Sequence, residues 1–193
     1  MKLLHLDSSI QGDASVSRIV SAAVVERLRA DIADLDVSYR DLVAAPIDHL
    51  TMTALGDAQA QMLVNELLAT DTVVIGAPLY NFTISSQLMA WFDRIVMAGR
   101  TFRYIENGSE GLAGCKRVIV ALVRGGVYSE GSPIAADKHA ETLLRTIFAF
   151  IGIDDAQFIV AKGVAPGEKP RGAAIERARK QVDQIAYTRR QAQ

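Results

Sequence analysis

Three short segments of this chain lack any alternation of polar and apolar residues, and they constrain the fold more than anything else in it. They are Thr72-Val73-Val74-Ile75, Val118-Ile119-Val120-Ala121 and Phe158-Ile159-Val160. A strand with one face in water alternates, whereas a strand covered by helices on both faces reads as a continuous apolar run. With their flanks and two further segments, the expected strands are Lys2–Asp7, Asp36–Arg40, Thr72–Ala77, Arg117–Val123 and Gln157–Ala161.

Between the strands, apolar residues recur at helical spacing: Val20, Ala23, Val24, Leu28; Met62, Leu63, Leu67, Leu68; Leu88, Trp91, Phe92, Ile95, Val96; and Leu143, Leu144, Ile147, Phe148, Ile151. A last, more polar helix is expected from about Gly172 to Tyr187. Regular alternation of strand and helix predicts an α/β fold: a doubly wound, five-stranded parallel sheet with helices on both faces. Right-handed crossovers favour the strand order 2-1-3-4-5. At 193 residues, half of them apolar, the whole chain 1–193 is expected to be one domain.

The charge balance, 21 Lys plus Arg against 22 Asp plus Glu, argues against a nucleic-acid partner, whose affinity would rest on neutralising phosphates. The single cysteine, Cys115, allows no intramolecular disulfide or multi-cysteine metal site, and it is expected to act as a small hydrophobe. His5, His49 and His139 have no ligand spacing, so no metal is expected. The first apolar run stops at Asp7, too soon for a signal peptide, and no run reaches membrane-spanning length. A cytoplasmic protein with no membrane partner is the expectation.

In such a sheet a ligand belongs in the crevice beyond the carboxyl ends of the strands, where the winding reverses. Three loops meet there. The first, Asp7 to Arg18, leads into a helix whose free N–H groups attract phosphate, with hydroxyls from Ser9, Ser15 and Ser17 and charge from Arg18 at hand. Helix capping by Ser15 or Ser17 accounts for the same residues. The second, Gly76 to Ser86, carries Leu79, Tyr80, Asn81 and Phe82 where a loop is ordinarily polar. A flat apolar ligand explains that, and so does a loop packed against a partner chain. The third, Arg124-Gly125-Gly126, permits a close backbone approach or a plain turn. Neither Gly-x-x-x-x-Gly-Lys-[Ser/Thr] nor Gly-x-Gly-x-x-Gly is present.

Taken together, Ser8-Ser9, Ser15-Val16-Ser17, the run Pro78 to Ser85, the run Gly99 to Gly108, Gly111-Leu112, Arg124-Gly125-Gly126 and Phe150-Ile151-Gly152 resemble the FMN-dependent NAD(P)H azoreductase and quinone reductase family, flavodoxin-like in fold. The resemblance covers almost the whole chain. It implies tightly bound FMN, NADH or NADPH as co-substrate, and quinones or azo compounds as acceptors in a ping-pong cycle. It implies that Ser9, Ser15, Val16 and Ser17 hold the flavin phosphate. Leu79, Tyr80, Asn81 and Phe82 then run along the ring, with Val123, Arg124, Gly125 and Gly126 at its other side. Family members are homodimers with flavin sites at the interface, and Tyr104 and Phe150 match positions of the substrate pocket. No acid, base or nucleophile is implied, since the chemistry lies at the flavin N5.

Three positions depart from the family pattern. Val123 replaces a frequent serine or threonine, Tyr128 stands where histidine is frequent, and the stretch Asp48–Asp57 is shorter than in relatives, where it helps roof the site. Trp91 and Phe92 are expected in the core, while Phe102 and Tyr104 fall in a turn-rich loop that suits an interface or pocket. Asp7 ends the first strand as in response regulators, but Ala77-Pro78 stands where their phospho-acceptor would be. An electron carrier, or a flavin-binding regulatory module without turnover, is the alternative function. Carriers often display a strong acidic surface, and this chain has a formal charge of −1.

Overall fold

The computed structural model describes residues 1–126, 136–154, 156–164 and 168–185; Tyr128 and Tyr187 lie outside the described residues. Parallel strands β1 (Lys2–Asp7), β2 (Asp36–Asp41), β3 (Thr72–Tyr80), β7 (Arg117–Arg124) and β8 (Ala156–Lys162) form the main sheet. Its order is β2-β1-β3-β7-β8, the expected 2-1-3-4-5 in terms of the long strands. Helices α1 (Val16–Asp31), α2 (Ala58–Leu68), α3 (Ser86–Ile95), α4 (Ala136–Phe150) and α5 (Glu168–Asp183) cover both faces.

The uninterrupted apolar runs resolve into two cores because successive side chains point to opposite faces. Val118, Val120 and Leu122 pack with Trp91, Phe92 and Phe148 on the α2–α3–α4 side. Ile119, Ala121 and Val123 pack with Val20, Val24 and Leu28 on the α1–α5 side. Strand β2 is different: it is an edge, largely exposed, and its polar sequence reflects that. Helix α5 begins earlier than expected because Pro170 falls in the first turn, where a missing N–H removes no internal bond.

Two regions expected as loops are hairpins. Strand β3 continues past Ala77 to Tyr80, then turns at Asn81 and Phe82 to pair antiparallel with β4 (Thr83–Ile84). Both turn residues have positive φ, 47° and 70°, as a two-residue primed turn requires. Phe102 and Tyr104 lie on β5 (Phe102–Ile105), paired with β6 (Gly108–Gly111). This second hairpin rests on the end of α4 through glycine: a Cβ on Gly111 would come within 2.0 Å of the Gly152 amide nitrogen. Cys115 corrects an expectation, being exposed with φ of 63° rather than packed as a hydrophobe.

Candidate active site

The carboxyl ends of β1, β3 and β7 open into a crevice of about 950 Å³. Ser15, Val16 and Ser17 line it from the start of α1, Leu79 and Tyr80 from β3, and Val123 and Gly125 from β7. Ser15 caps α1, accepting from the Arg18 amide at 3.4 Å, while its Oγ lies 2.9 Å from that of Ser17. The cap uses one lone pair of a hydroxyl that has two, so capping and ligand binding are compatible. The Val16 and Ser17 amides have no acceptor among the described residues, as expected at a helix start. Ser9 is fully buried beside this group, its Oγ 3.0 Å from the Tyr80 hydroxyl, which also accepts from the Ile10 amide at 3.2 Å. Tyr80 thereby ties the first loop to the end of β3.

Behind the loop lies a polar network. Arg18 forks onto Asp41 at 2.6 and 2.9 Å, and donates to the Ser9 carbonyl at 3.0 Å and the Tyr39 hydroxyl at 3.1 Å. Tyr39 donates to Asp7 at 3.2 Å, and Ser21 donates to the same carboxylate at 2.8 Å. The Arg18 bond holds the Asp41 carboxyl below its ordinary range. Burial, then the Asp7 charge, pushes the Tyr39 hydroxyl up to about 12, and burial pushes His5 down. The expectation that Arg18 offers charge to a ligand is therefore corrected: its guanidinium is matched by Asp41 and positions Ser9 instead.

Several expected residues stand away from the crevice lining. Asn81 and Phe82 form the exposed hairpin tip, Phe82 with 53% of its surface in solvent. Strand alternation turns the Arg124 side chain to the face opposite Val123 and Gly125, and Gly126 ends the described stretch. Tyr104 and Phe150 are not in the lining; they cluster with Phe102, whose ring centroid lies 5.3 Å from Tyr104 and 4.6 Å from Phe150. Phe102 itself is buried, so the exposed aromatic of that hairpin is Tyr104, with 77% of its surface in solvent.

Sequence reasoning missed Pro78 and Ile19 in the lining, and Arg171, which reaches the crevice from α5. A lone arginine in a polar helix carries no signal of its own. A second, smaller cavity of about 360 Å³ lies between Leu50, Leu55, Met97 and Phe102. Arg94 holds the loop beside it, donating to the carbonyls of Ala54 at 3.0 Å and Asp48 at 3.1 Å.

The main crevice thus combines hydrogen-bond donors from the start of α1 and from Arg171 with the apolar residues Pro78, Leu79 and Val123 from the strand ends. Its chemistry is that of a holder for a planar, phosphate-bearing molecule. Comparison with known proteins agrees. The family model described as flavodoxin-like fold matches residues 1–186. The FMN-dependent NADH:quinone oxidoreductase of Methylorubrum populi is 55% identical over 190 residues, covering 91% of this chain and 94% of that protein. An azoreductase from Bacillus anthracis Sterne superposes with a TM-score of 0.82 at 26% identity, covering 96% of this chain and all of that one. An FMN-dependent NADH-azoreductase from Bacillus anthracis Ames Ancestor, solved with FMN, has a TM-score of 0.83 at 24% identity over 94% of this chain and 95% of that one, a likeness of fold. The chain belongs to the flavodoxin-like family that includes the FMN-dependent NADH:quinone oxidoreductases.

Proposed function

We propose that this chain is an FMN-dependent NADH:quinone oxidoreductase that also reduces azo compounds, working as a homodimer. One observation carries the reading: the buried Ser15 and Ser17 hydroxyls and the free amides of α1 line the same crevice as the apolar Pro78, Leu79 and Val123. The donor set fits a single terminal phosphate. Ser9, Ser15, Val16 and Ser17 hold that phosphate, Leu79 and Tyr80 support the ring, and Val123, Gly125 and Gly126 approach its far edge. Arg124 contributes through its backbone at the end of β7, and Asn81 and Phe82 reach the ring from the hairpin tip. The flavin, when bound, supplies two-electron transfer between NADH and an acceptor.

The protein's part is placement: a rigid crevice that admits one planar partner at a time, so that NADH and acceptor alternate. Tyr104 and Phe150 are presented outward and complete the acceptor pocket of a second copy. Phe82, Ile105 and Leu112 are exposed as well, and exposed apolar side chains of this kind are what a second copy would cover. The reading also puts the enzyme in the cytoplasm, where NADH is available and a lone exposed thiol stays reduced.

Purified protein should be yellow, release FMN rather than FAD on denaturation, and oxidise NADH with a quinone in the absence of any partner protein. Initial-rate plots at varied quinone should be parallel. Finding FAD, or flavin without turnover, would sink the reading; the second result would favour a carrier or regulatory module.

A further inference from the structure

We propose that Arg171 is the cation that reads the phosphate of the flavin, an inference that rests on the FMN reading above. A cation there would add charge to donors that are otherwise neutral. A phosphate monoester carries about −1.5 to −2 at neutral pH, and Ser15, Ser17 and the α1 amides are neutral donors. Asp13 lines the same crevice and opposes an anion. Arg18, the nearest sequence candidate, is matched by Asp41.

Arg171 stands across from the serines, in the fourth position of α5, and its guanidinium donates to the Ala14 carbonyl beside the serine cap. That bond uses one nitrogen of a group with five N–H donors. Among the described residues no carboxylate pairs with Arg171, although eight arginine–carboxylate pairs occupy other side chains. Its position opposes the helix dipole, since a cation in the first turn of α5 faces the positive helix end. The free amides at the start of α1 and the guanidinium of Arg171 therefore bring positive charge to one crevice, and a dianion satisfies both. Val164 joins Arg171 in the crevice lining.

The test compares FMN with riboflavin, which lacks only the phosphate. Flavin is stripped from the parent protein and from Arg171→Ala and Arg171→Lys, and each is titrated with both flavins by fluorescence quenching. Arg171→Ala should weaken FMN about tenfold, the scale of one charge-assisted hydrogen bond, and leave riboflavin unchanged. Arg171→Lys should recover part of the loss, and added salt should narrow the gap between parent and alanine variant. Equal loss of both flavins would mean that Arg171 only fastens α5 to the loop, and unchanged FMN binding would mean that it does not meet the phosphate; either overturns the proposal. A parent protein that binds neither flavin would overturn the FMN reading itself.

Discussion

The serine crevice and the aromatic outcrop of Phe102, Tyr104 and Phe150 are built in opposite ways. At the crevice most polar groups behind the wall are paired: Ser9 with Tyr80, Ser15 with Ser17, and Arg18 with Asp41, Tyr39 and the Ser9 carbonyl, while Arg18 Nε and His5 Nε2 have no hydrogen-bond partner among the described residues. Such a site is formed within one chain before any ligand arrives. The outcrop is apolar, exposed at Tyr104, Ile105 and Phe150, and it rests on α4 through a main-chain contact between glycines. Under the dimer we propose, the contrast assigns cofactor binding to the single chain and acceptor binding to the pair.

The sharpest way to break this division is Gly111→Ala. The new Cβ meets main chain, which cannot swing aside, so the hairpin must lift from α4. Overpacking of this kind costs about 1–3 kcal/mol. Thermal melting should register that loss, and sizing should show fewer dimers, while FMN affinity per folded chain stays at the parent level. A fall in FMN affinity as large as the fall in assembly would join the two regions that the structure separates.

Tyr104→Glu acts on the outcrop without touching its support. Phe102→Glu would bury a charge and confuse folding with docking, because Phe102 is 6% exposed. The Tyr104 change should lower NADH–quinone turnover about tenfold, the scale of a lost interface anchor, with full flavin content. A monomer with undiminished turnover would refute the shared pocket.

The smallest effect belongs to the network behind the crevice. The folded chain keeps the Tyr39 proton to about pH 12, against an ordinary value of 10.0. Because the folded value is raised, the contribution is complete below pH 10 and is lost as pH rises through about 12. Tyr39→Phe should abolish this alkaline loss in chemical denaturation across that window. An identical alkaline slope in both proteins would remove Tyr39 from the network.

The strands and the helical stripes were legible because burial on both faces leaves its mark on every residue of a segment. Trp91 and Phe92 fell where helical spacing put them, both fully buried. The hairpins were not legible for a different reason. Asn81-Phe82 lacks the glycine that usually announces a primed turn, and Gly108-Ser109-Glu110-Gly111 has no apolar alternation because β6 packs on nothing but β5 and a helix end. The serines of the crevice could be named from the loop alone, but the partner of Arg18 could not. Asp41 becomes its neighbour only when β2 pairs with β1, and Arg171 arrives from α5, 157 positions beyond Ala14.

Gly76 stands beside Asp7 in the parallel register of β1 and β3, and a Cβ there would lie 2.1 Å from the Asp7 Oδ1. The two positions are therefore ordered in any mutational history. An alanine at 76 has no place while the carboxylate of residue 7 remains, with the Ser17 carbonyl 3.2 Å away on the other side. Once residue 7 has become small, the alanine loses its one severe clash and keeps only the tight contacts with the Ser21 hydroxyl at 3.1 Å and the Ser17 carbonyl, and the carboxylate can no longer return. This junction of β1 and β3 behaves as a ratchet: whichever residue grows first closes the path of the other.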